Sequence, residues 1–384
     1  MRAVFLFLGV FLLSSALAKG EDITVFEAQK REPIRGLFVT AYGTPDIYSS
    51  STEILKLIDF ARKCQIKILF VQIYKANFAW FPSNVGNSSP YKAAVKAVGE
   101  DPITFLIKKA HQSGIEVHAW INLLSFGGNP NAVLLKKYGP GILTRNRKTK
   151  KVIEDYKIDG QYFLEPGDPR VRQEMSKLVE EIVRFYPQLD GLLFDYIRYP
   201  DSDPNCGYTV SNIERFKKAT GLAEIDDRSK DWHDWKRNQV TDLLKELVQK
   251  ARKIRPKIQI ATTGCLSYAR ALYEAFQDWP KWVNSGIVDF VIAMDYSPDP
   301  GEYGRLITQI KTMLKDFSKV NITVGAYKPE TSLESFQREF KICGKSGSGA
   351  CVVFYYASIL QRPFLSKFIM SEQSVTPSVI PRDN

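Results

Sequence analysis

Short apolar runs alternate with stretches of helical character along most of the chain, and this alternation restricts the fold more than any other feature. Eight runs stand out: Ile34 to Ala41, Ile66 to Ile73, Ile115 to Ile121, Leu189 to Phe194, Ile258 to Thr262, Ile287 to Met294, Ile322 to Gly325 and Cys351 to Phe354. Nearly continuous apolar runs are typical of parallel strands buried on both faces, and crossover helices connect such strands. We therefore predict an α/β protein built as one (β/α)8 TIM barrel.

An open, doubly wound sheet is the alternative architecture, and such a sheet usually binds a nucleotide. No Gly-x-Gly-x-x-Gly pattern follows a strand in this chain. The Gly344-Lys345-Ser346 triplet also lacks the upstream glycine of a phosphate-binding loop, because position 339 is a glutamate. After the third predicted strand, a long loop excursion runs from Leu123 to Pro166 with only short apolar pieces. A loop of that length inside a compact domain is usually functional or forms a small subdomain.

The two ends of the chain differ from the predicted barrel in composition. Residues 1–18 combine Arg2, an apolar run and Ala16-Leu17-Ala18, which is the pattern of a cleaved secretory signal peptide. We therefore expect a secreted or periplasmic protein, with an uncleaved anchor helix as the alternative. Residues 371–384 are rich in Ser and Pro and are predicted to be disordered, which leaves 19–370 for the barrel. No later segment has the length and apolarity to cross a bilayer, so we expect no stable membrane insertion.

The formal net charge of the chain is +11, which favours anionic partners such as cell-envelope polymers. Export makes nucleic acid the least expected partner, and an ordinary solvated basic surface explains the charge equally well. The five cysteines show neither a CxxC pair nor a spacing linked to histidine, and the three histidines are scattered. We therefore predict no metal and no cofactor. Cys343 and Cys351 are close enough in sequence to close a short disulfide loop, whereas Cys64 and Cys265 are typical of small core residues.

Acidic residues stand at the ends of the fourth and sixth predicted strands. The run Leu192 to Phe194 stops at Asp195, and the run to Met294 stops at Asp295. In a TIM barrel the carboxyl ends of the strands form the active-site face. Asp195 has the same parity as Leu193, so it points inward if Leu193 does. We expect the two carboxylates to face one cleft, the arrangement that cleavage of a glycosidic bond requires.

Both acids also have simpler interpretations. Asp195 could pair with Arg198 and cap the strand, and Asp295 could bind a backbone amide or Arg198. Aromatic and polar residues cluster at the same strand ends, and this favours a carbohydrate because sugar C–H faces lie on aromatic rings while hydroxyls need amides and guanidinium groups. Roughly half of the rings are expected to be core. The predicted substrate-binding residues are Tyr42, Gln72, Tyr74, Trp80, Asn122, Tyr196, Arg198 and Tyr296.

Several motifs resemble the glycosyl-hydrolase-like ten family of exported barrel proteins, in the order and spacing of that family. They are Arg35-Gly36-Leu37-Phe38-Val39-Thr40, Phe70-Val71-Gln72, Phe81-Pro82-Ser83, Asp101-Pro102, Val117-His118-Ala119-Trp120-Ile121-Asn122, Glu165-Pro166-Gly167-Asp168-Pro169-Arg170-Val171-Arg172, Asp190-Gly191 and Phe194-Asp195. They cover about residues 33 to 300. The resemblance implies the barrel, export and a glycosidase-type site, and it adds Glu165 as a third candidate acid. Glu165 could instead cap the helix that begins near Asp168.

The chain departs from the family pattern at three places. Tyr196 stands where the family tends to have a second acid, Tyr74 where an arginine is usual, and Leu123-Leu124-Ser125 where Pro-Tyr-Arg tends to follow. A chitinase-like site is disfavoured, because its catalytic glutamate would fall near Ile197.

The leading hypothesis is an exported glycoside hydrolase that cleaves a polysaccharide, such as cell-envelope peptidoglycan. Asp195 would be its nucleophile or base, and Asp295 or Glu165 its general acid. A carbohydrate-binding pseudoenzyme on the same barrel is the alternative, and a surface adhesin that uses its basic face is a third. Stereochemistry, glycan identity and oligomeric state are not readable from the sequence.

Overall fold

The computed structural model describes residues 34–371, except 149 and 298. The predicted signal peptide at 1–18 lies outside the described residues. The predicted tail at 371–384 does so too, apart from Ser371, which ends the last helix. In the described part of the chain, no helix combines the length and apolarity needed to span a membrane.

Eight parallel strands close into a barrel. They are β1 Ile34–Val39, β2 Ile66–Lys75, β3 Glu116–Asn122, β4 Gly191–Asp195, β5 Gln259–Cys265, β6 Phe290–Met294, β7 Val320–Gly325 and β8 Ala350–Phe354. Each strand pairs with its neighbours in chain order, and β1 pairs with both β2 and β8. A two-residue strand, Phe78–Ala79, folds back antiparallel onto β2. The predicted (β/α)8 barrel is therefore confirmed.

Helices surround the barrel in the order that the alternating pattern predicts. They are α1 Ser51–Lys63, α2 Ser89–Val98, α3 Pro102–His111, α4 Val133–Tyr138, α5 Pro169–Phe185, α6 Val210–Thr220, α7 Lys230–Ile254, α8 Tyr268–Tyr273, α9 Trp279–Asn284, α10 Pro300–Lys311, α11 Leu333–Ser346, α12 Tyr356–Leu360 and α13 Pro363–Ser371. Two short helices, α8 and α9, connect β5 to β6.

Three of the described helices, α3, α5 and α10, begin at an Asp-Pro pair, and the first two of these precede the strands that carry the cleft residues. The Asp101 carboxylate accepts a hydrogen bond from the backbone N–H of Thr104 at 2.7 Å, and the Asp168 carboxylate accepts one from the N–H of Arg170 at 2.9 Å. Each acid satisfies a backbone donor that the first turn of a helix leaves free, and the proline that follows supplies no such donor. These caps fix where α3 and α5 begin, and so where the chain enters the next strand.

The barrel interior is filled below the mouth. Phe38, Phe70, Trp120, Leu193, Ala261, Ile292, Ala350 and Val352 form a separate buried cluster there. A larger cluster lies between the strands and the helices. Leu193 therefore points inward, as the parity argument for Asp195 assumed. A filled TIM barrel is a core and not a pore, so the interior offers no ligand site, and the mouth is the face where active sites of this fold form.

The excursion after β3 forms a small subdomain. Isolated bridges join Ser125 to Phe163 and Leu143 to Leu164, and α4 lies between them in sequence. Leu124, Phe126 and Tyr162 are completely buried within it. The long predicted loop is thus ordered by its own apolar contacts.

The cysteines divide into one bonded pair and three free thiols. Cys343 and Cys351 form a disulfide with their Cα atoms 6.0 Å apart, which links α11 to β8. Cys64 and Cys206 are buried, and Cys265 is partly buried.

We expect Gly191→Ala to destabilise the barrel by about 1–3 kcal/mol, the range typical of overpacked cores. An added Cβ would lie 2.3 Å from Nδ1 of buried His118 and 2.9 Å from the Gln259 carbonyl oxygen, which belongs to the neighbouring strand. Gly141→Ala is the control, because its Cβ would meet only an Arg170 nitrogen at 3.9 Å. Urea unfolding measures both variants, and equal stabilities would contradict the packing described for β4.

Candidate active site

A cleft of about 460 Å³ opens at the carboxyl ends of the barrel strands. The last residues of β2, β3, β4, β5, β6 and β8 all line this cleft. Its lining comprises Thr40, Tyr42, Gln72, Lys75, Trp120, Asn122, Asp195, Tyr196, Arg198, Asp201, Thr263, Gly264, Cys265, Arg270, Gln277, Met294, Tyr296, Tyr327, Phe354 and Tyr355. The volume is in the range that small-molecule and sugar sites occupy.

Asp195 lies on the floor of this cleft and is only 4% exposed. Its Oδ1 accepts hydrogen bonds from the Thr263 hydroxyl at 2.6 Å and from the backbone N–H of Tyr196 at 2.8 Å. Its Oδ2 accepts one from the indole Nε1 of Trp120 at 2.9 Å. Two of these donors belong to the flanking strands β3 and β5, and the third is the residue that follows Asp195. Together they hold the carboxylate in one orientation. Such preorganisation is what a reacting or charge-stabilising group needs.

The backbone turns sharply directly after Asp195. Tyr196 has a φ of +53°, in the left-handed region that non-glycine residues rarely adopt. This turn aims the Tyr196 N–H at the Asp195 carboxylate, and the Tyr196 ring lies 4.8 Å from the Arg198 guanidinium carbon. A strained residue beside a candidate catalytic acid is typical of functional sites.

Two side-chain amides form a second part of the floor. Gln72 donates to the Asn122 carbonyl oxygen at 3.0 Å and accepts from the backbone N–H of Ala41 at 3.2 Å. Asn122 is paired in register with Asp195 across β3 and β4. Gln72 and Asn122, both predicted from the sequence, therefore line the cleft next to the Asp195 carboxylate.

The second carboxylate of the cleft is Asp201, which is not among the residues predicted from the sequence. It forms ion pairs with Arg198 at 2.6 Å and with Arg270 at 2.7 Å. Its side chain is 18% exposed. The signal that could have identified it is an acid three residues after Arg198 in the loop that follows β4.

Asp295 does not share the cleft with Asp195, contrary to the expectation. Ile292 lies in the barrel interior, and Met294 and Tyr296 line the cleft, so Asp295 points to the outer side of the sheet. Its Oδ1 accepts from the Ser297 N–H at 3.0 Å, and its Oδ2 is buried without a hydrogen-bond partner among the described residues. The end of β6 therefore presents Met294 and Tyr296, and no carboxylate, to the cleft.

Behind the strand, the half-buried Asp295 lies near the buried Glu339 of α11. Burial raises the pKa of Asp295. Glu339 is 5% exposed, and burial, with a further contribution from Asp295, raises its pKa to about 7. Two carboxyl groups that lie near each other and are partly or fully removed from water disfavour each other's ionised form.

Glu165 is completely buried and does not line the cleft. Its Oε1 accepts a hydrogen bond from the Tyr199 hydroxyl, and its Oε2 has no hydrogen-bond partner among the described residues. Burial raises its pKa, while the hydrogen bond from Tyr199 opposes that shift. Since Tyr199 directly follows Arg198, Glu165 anchors the loop that carries Arg198 and Asp201. It supports the site from behind and does not face it.

Three of the predicted aromatic residues, Tyr42, Tyr196 and Tyr296, line the cleft together with Arg198. Trp80 is 5% exposed and packs edge-on against Tyr42, with ring centroids 4.9 Å apart. It therefore supports Tyr42 and does not line the cleft. The Tyr296 hydroxyl is buried without a hydrogen-bond partner among the described residues. Burial, reinforced by the charge of Asp195, raises its pKa well above the ordinary value.

Tyr74 was predicted to line the cleft, but it is fully buried and its hydroxyl accepts from Asn77 at 2.7 Å. The reason is an irregularity in β2. Gln72 lies opposite Trp120, whereas Tyr74, two residues on, lies opposite Ile121, the next residue of β3. Such a bulge exchanges the two faces of a strand. Lys75 therefore lines the cleft in place of Tyr74.

Among residues 34–371, with the two gaps noted, no group of three or more His, Cys, Asp or Glu side chains converges to hold a metal ion. The ionisable groups of the cleft other than tyrosine and cysteine are Lys75, Arg198, Arg270, Asp195 and Asp201. The arrangement can thus supply a fixed carboxylate, an ion-paired carboxylate and aromatic faces to a polar ligand.

We expect Glu339→Gln to stabilise the protein at pH 8 by about 1–3 kcal/mol and to have little effect at pH 4. A pKa raised to about 7 means that the folded state binds the proton more tightly than the unfolded state. The wild type therefore loses stability as the pH rises from about 4.5 to 7, and glutamine removes that loss. Glu334→Gln is the control, because Glu334 is 72% exposed on the same helix. Denaturant unfolding at both pH values makes the comparison, and a variant less stable at pH 8 would contradict the burial of Glu339.

Comparisons with known proteins agree with this architecture. The family model described as Glycosyl hydrolase-like 10 matches residues 33–330. Glycosyl hydrolase DigH of Escherichia coli K12 is 25% identical over 259 residues, which cover 63% of this chain and 57% of that protein. Glycosyl hydrolase YngK of Bacillus subtilis 168 is 25% identical over 262 residues, which cover 64% of this chain and 48% of that protein. The chain thus spans about half the length of these relatives.

Solved structures share the fold at low sequence identity. The catalytic domain of β-amylase from Paenibacillus polymyxa aligns with a TM-score of 0.58 at 10% identity, covering 88% of this chain and 98% of that one. The α-galactosidase AgaB of Geobacillus stearothermophilus aligns with a TM-score of 0.54 at 11% identity, covering 89% of this chain and 41% of that one. At these identities the likeness shows the TIM barrel alone. The match of the family model over most of the barrel shows that the chain belongs to the Glycosyl hydrolase-like 10 family.

Proposed function

We propose that the protein is a glycoside hydrolase that cleaves glycosidic bonds in a polysaccharide, with cell-envelope glycan such as peptidoglycan as the first substrate to test. One observation carries the proposal: Asp195 lies at the floor of an aromatic cleft with both carboxylate oxygens held by donors. Membership of a glycosyl-hydrolase-like family supports the same reaction class. The expected export through residues 1–18 completes the proposal, since the substrate would then lie outside the cytoplasm.

Asp195 is the residue that we assign as nucleophile or base. Its carboxylate lines the cleft and is held by three donors, and the reacting sugar carbon would bind next to it. Tyr42, Tyr196 and Tyr296 would contact the sugar faces, and Gln72, Asn122 and Arg198 would bind its hydroxyls. The Tyr296 hydroxyl is buried and keeps its proton, because burial raises its pKa.

Cleavage also needs a proton for the leaving oxygen, and the described cleft offers one further carboxyl group, Asp201. Its partner Arg270 is 52% exposed and can move away when a glycan binds, whereas Arg198 is largely buried. We assign the general acid to Asp201, in the place of Asp295 and Glu165, neither of which lines the cleft. A neighbouring guanidinium favours the ionised carboxylate, so Asp201 carries the proton only when its pair with Arg198 opens as well.

A carbohydrate-binding pseudoenzyme is the second candidate. The observation that favours it is that both cleft arginines are paired with Asp201, while Asp295 and Glu165 lie outside the cleft. Under this alternative the protein binds glycan strands and releases no reducing ends, and Asp195→Asn leaves glycan binding intact.

We expect Asp195→Asn to lower the rate of reducing-end release from peptidoglycan, or from whichever glycan binds, by about 10²- to 10⁴-fold. Removal of the charge takes away the reacting group, while the asparagine side chain preserves the size of the residue. Asp295→Asn is the matched comparison, and it should retain most of the activity because Asp295 does not line the cleft. Circular dichroism and thermal unfolding confirm that both variants fold. Equal rates for wild type and Asp195→Asn, or a larger loss in Asp295→Asn, would overturn the assignment.

A further inference from the structure

Lys75 is a cation that the bulge in β2 directs into the cleft. Its side chain is partly buried, and its ammonium nitrogen lies 5.2 Å from the centre of the Tyr42 ring. Among the described residues, no carboxylate oxygen lies within 4.0 Å of the Lys75 ammonium nitrogen, so Lys75 forms no ion pair there. Lys75 thus differs from the other two cations of the cleft, Arg198 and Arg270, which both bind Asp201.

The charges of the cleft therefore do not balance. The single negative charge of Asp201 is shared by two guanidinium groups, those of Arg198 and Arg270. The Asp195 carboxylate already accepts three hydrogen bonds, from Trp120, Tyr196 and Thr263. Asp195 is close enough to favour the charged form of Lys75, but desolvation is the stronger influence and lowers the pKa of that lysine. A partly desolvated ammonium without a counter-ion is unfavourable in the free protein. A ligand that brings a negative charge to this position removes that penalty.

The neighbourhood of Lys75 indicates what kind of anion fits. The Tyr42 ring beside it offers a flat apolar face, and Gln72 and Asn122 offer amide groups on the floor. A sugar ring that carries a carboxylate combines the C–H face, the hydroxyls and the charge that these groups bind. An inorganic anion would leave the aromatic face without a partner.

We propose that the cleft has a subsite for an acidic sugar, in which Lys75 binds the carboxylate of a uronic or muramic acid unit of the glycan. This inference deepens the proposed function, because it takes the ligand to be a glycan and names its class. It makes Lys75 a specificity-determining residue and assigns it no part in bond cleavage.

The test uses matched pairs of free sugars, so that it does not depend on turnover. The pairs are glucuronate with glucose, galacturonate with galactose, and N-acetylmuramate with N-acetylglucosamine, each acid differing from its neutral partner mainly in the carboxylate-bearing group. Calorimetry or ligand-observed NMR measures the affinity of full-length protein for each sugar. The wild type should bind at least one acid about tenfold or more tightly than its neutral partner, as expected for a charge-assisted hydrogen bond.

Two lysine variants connect that preference to the structure. Lys75→Met should reduce the affinity for the acid to that for the neutral partner. Lys67→Met, which removes the same charge from the exposed opposite end of β2, should keep the preference. Rising salt should weaken the binding of the acid by the wild type and leave neutral sugars unaffected. The proposal is overturned if no acid binds better than its neutral partner, or if the preference survives in Lys75→Met.

The outcome separates this inference from the proposed function. An acid preference that depends on Lys75, in a protein that releases no reducing ends from any glycan, would support the subsite and refute the hydrolase. Release of reducing ends together with equal affinities in every pair would refute the subsite and support the hydrolase.

Discussion

Closure of the barrel is the constraint on which the candidate site depends. Pairing of β1 with both β2 and β8 brings all eight carboxyl ends of the strands around one opening. Asp195 then receives hydrogen bonds from Trp120 of β3 and Thr263 of β5, the two strands that flank its own. An open sheet would still bring these three strands together. Only closure also places Tyr42, Tyr296 and Tyr355, from the distant strand ends, around the same carboxylate.

The filled interior makes this opening shallow and polar. Phe38, Phe70, Trp120 and Leu193 occupy the layers below, so the cleft begins where the apolar layers end. Trp120 belongs to both levels, since its ring packs in the interior while its indole N–H holds Asp195. The same packing that stabilises the barrel therefore sets the orientation of the candidate catalytic group.

The acids outside the cleft have a structural role, whereas those that line it are candidates for catalysis. Glu165 holds the loop after β4 from behind through Tyr199, and Asp295 lies near Glu339 on the outer side of the sheet. Both were plausible catalytic candidates, because an acid at a strand end or in a family-like loop is a common sign of chemistry. Their burial shows that a perturbed carboxyl group can belong to the supporting structure.

The sequence by itself determined the class of fold, the positions of the strands and the placement of Asp195, Asn122 and Gln72, because apolar runs and helix caps are local signals. It could not decide which way Asp295 points, since a strand buried on both faces shows no alternation from which the inward parity can be read. It also could not show the bulge that replaces Tyr74 with Lys75, or the pairing of Asp201 with Arg270. Those features depend on how one strand registers against the next and how distant loops meet, and only the tertiary structure decides such contacts.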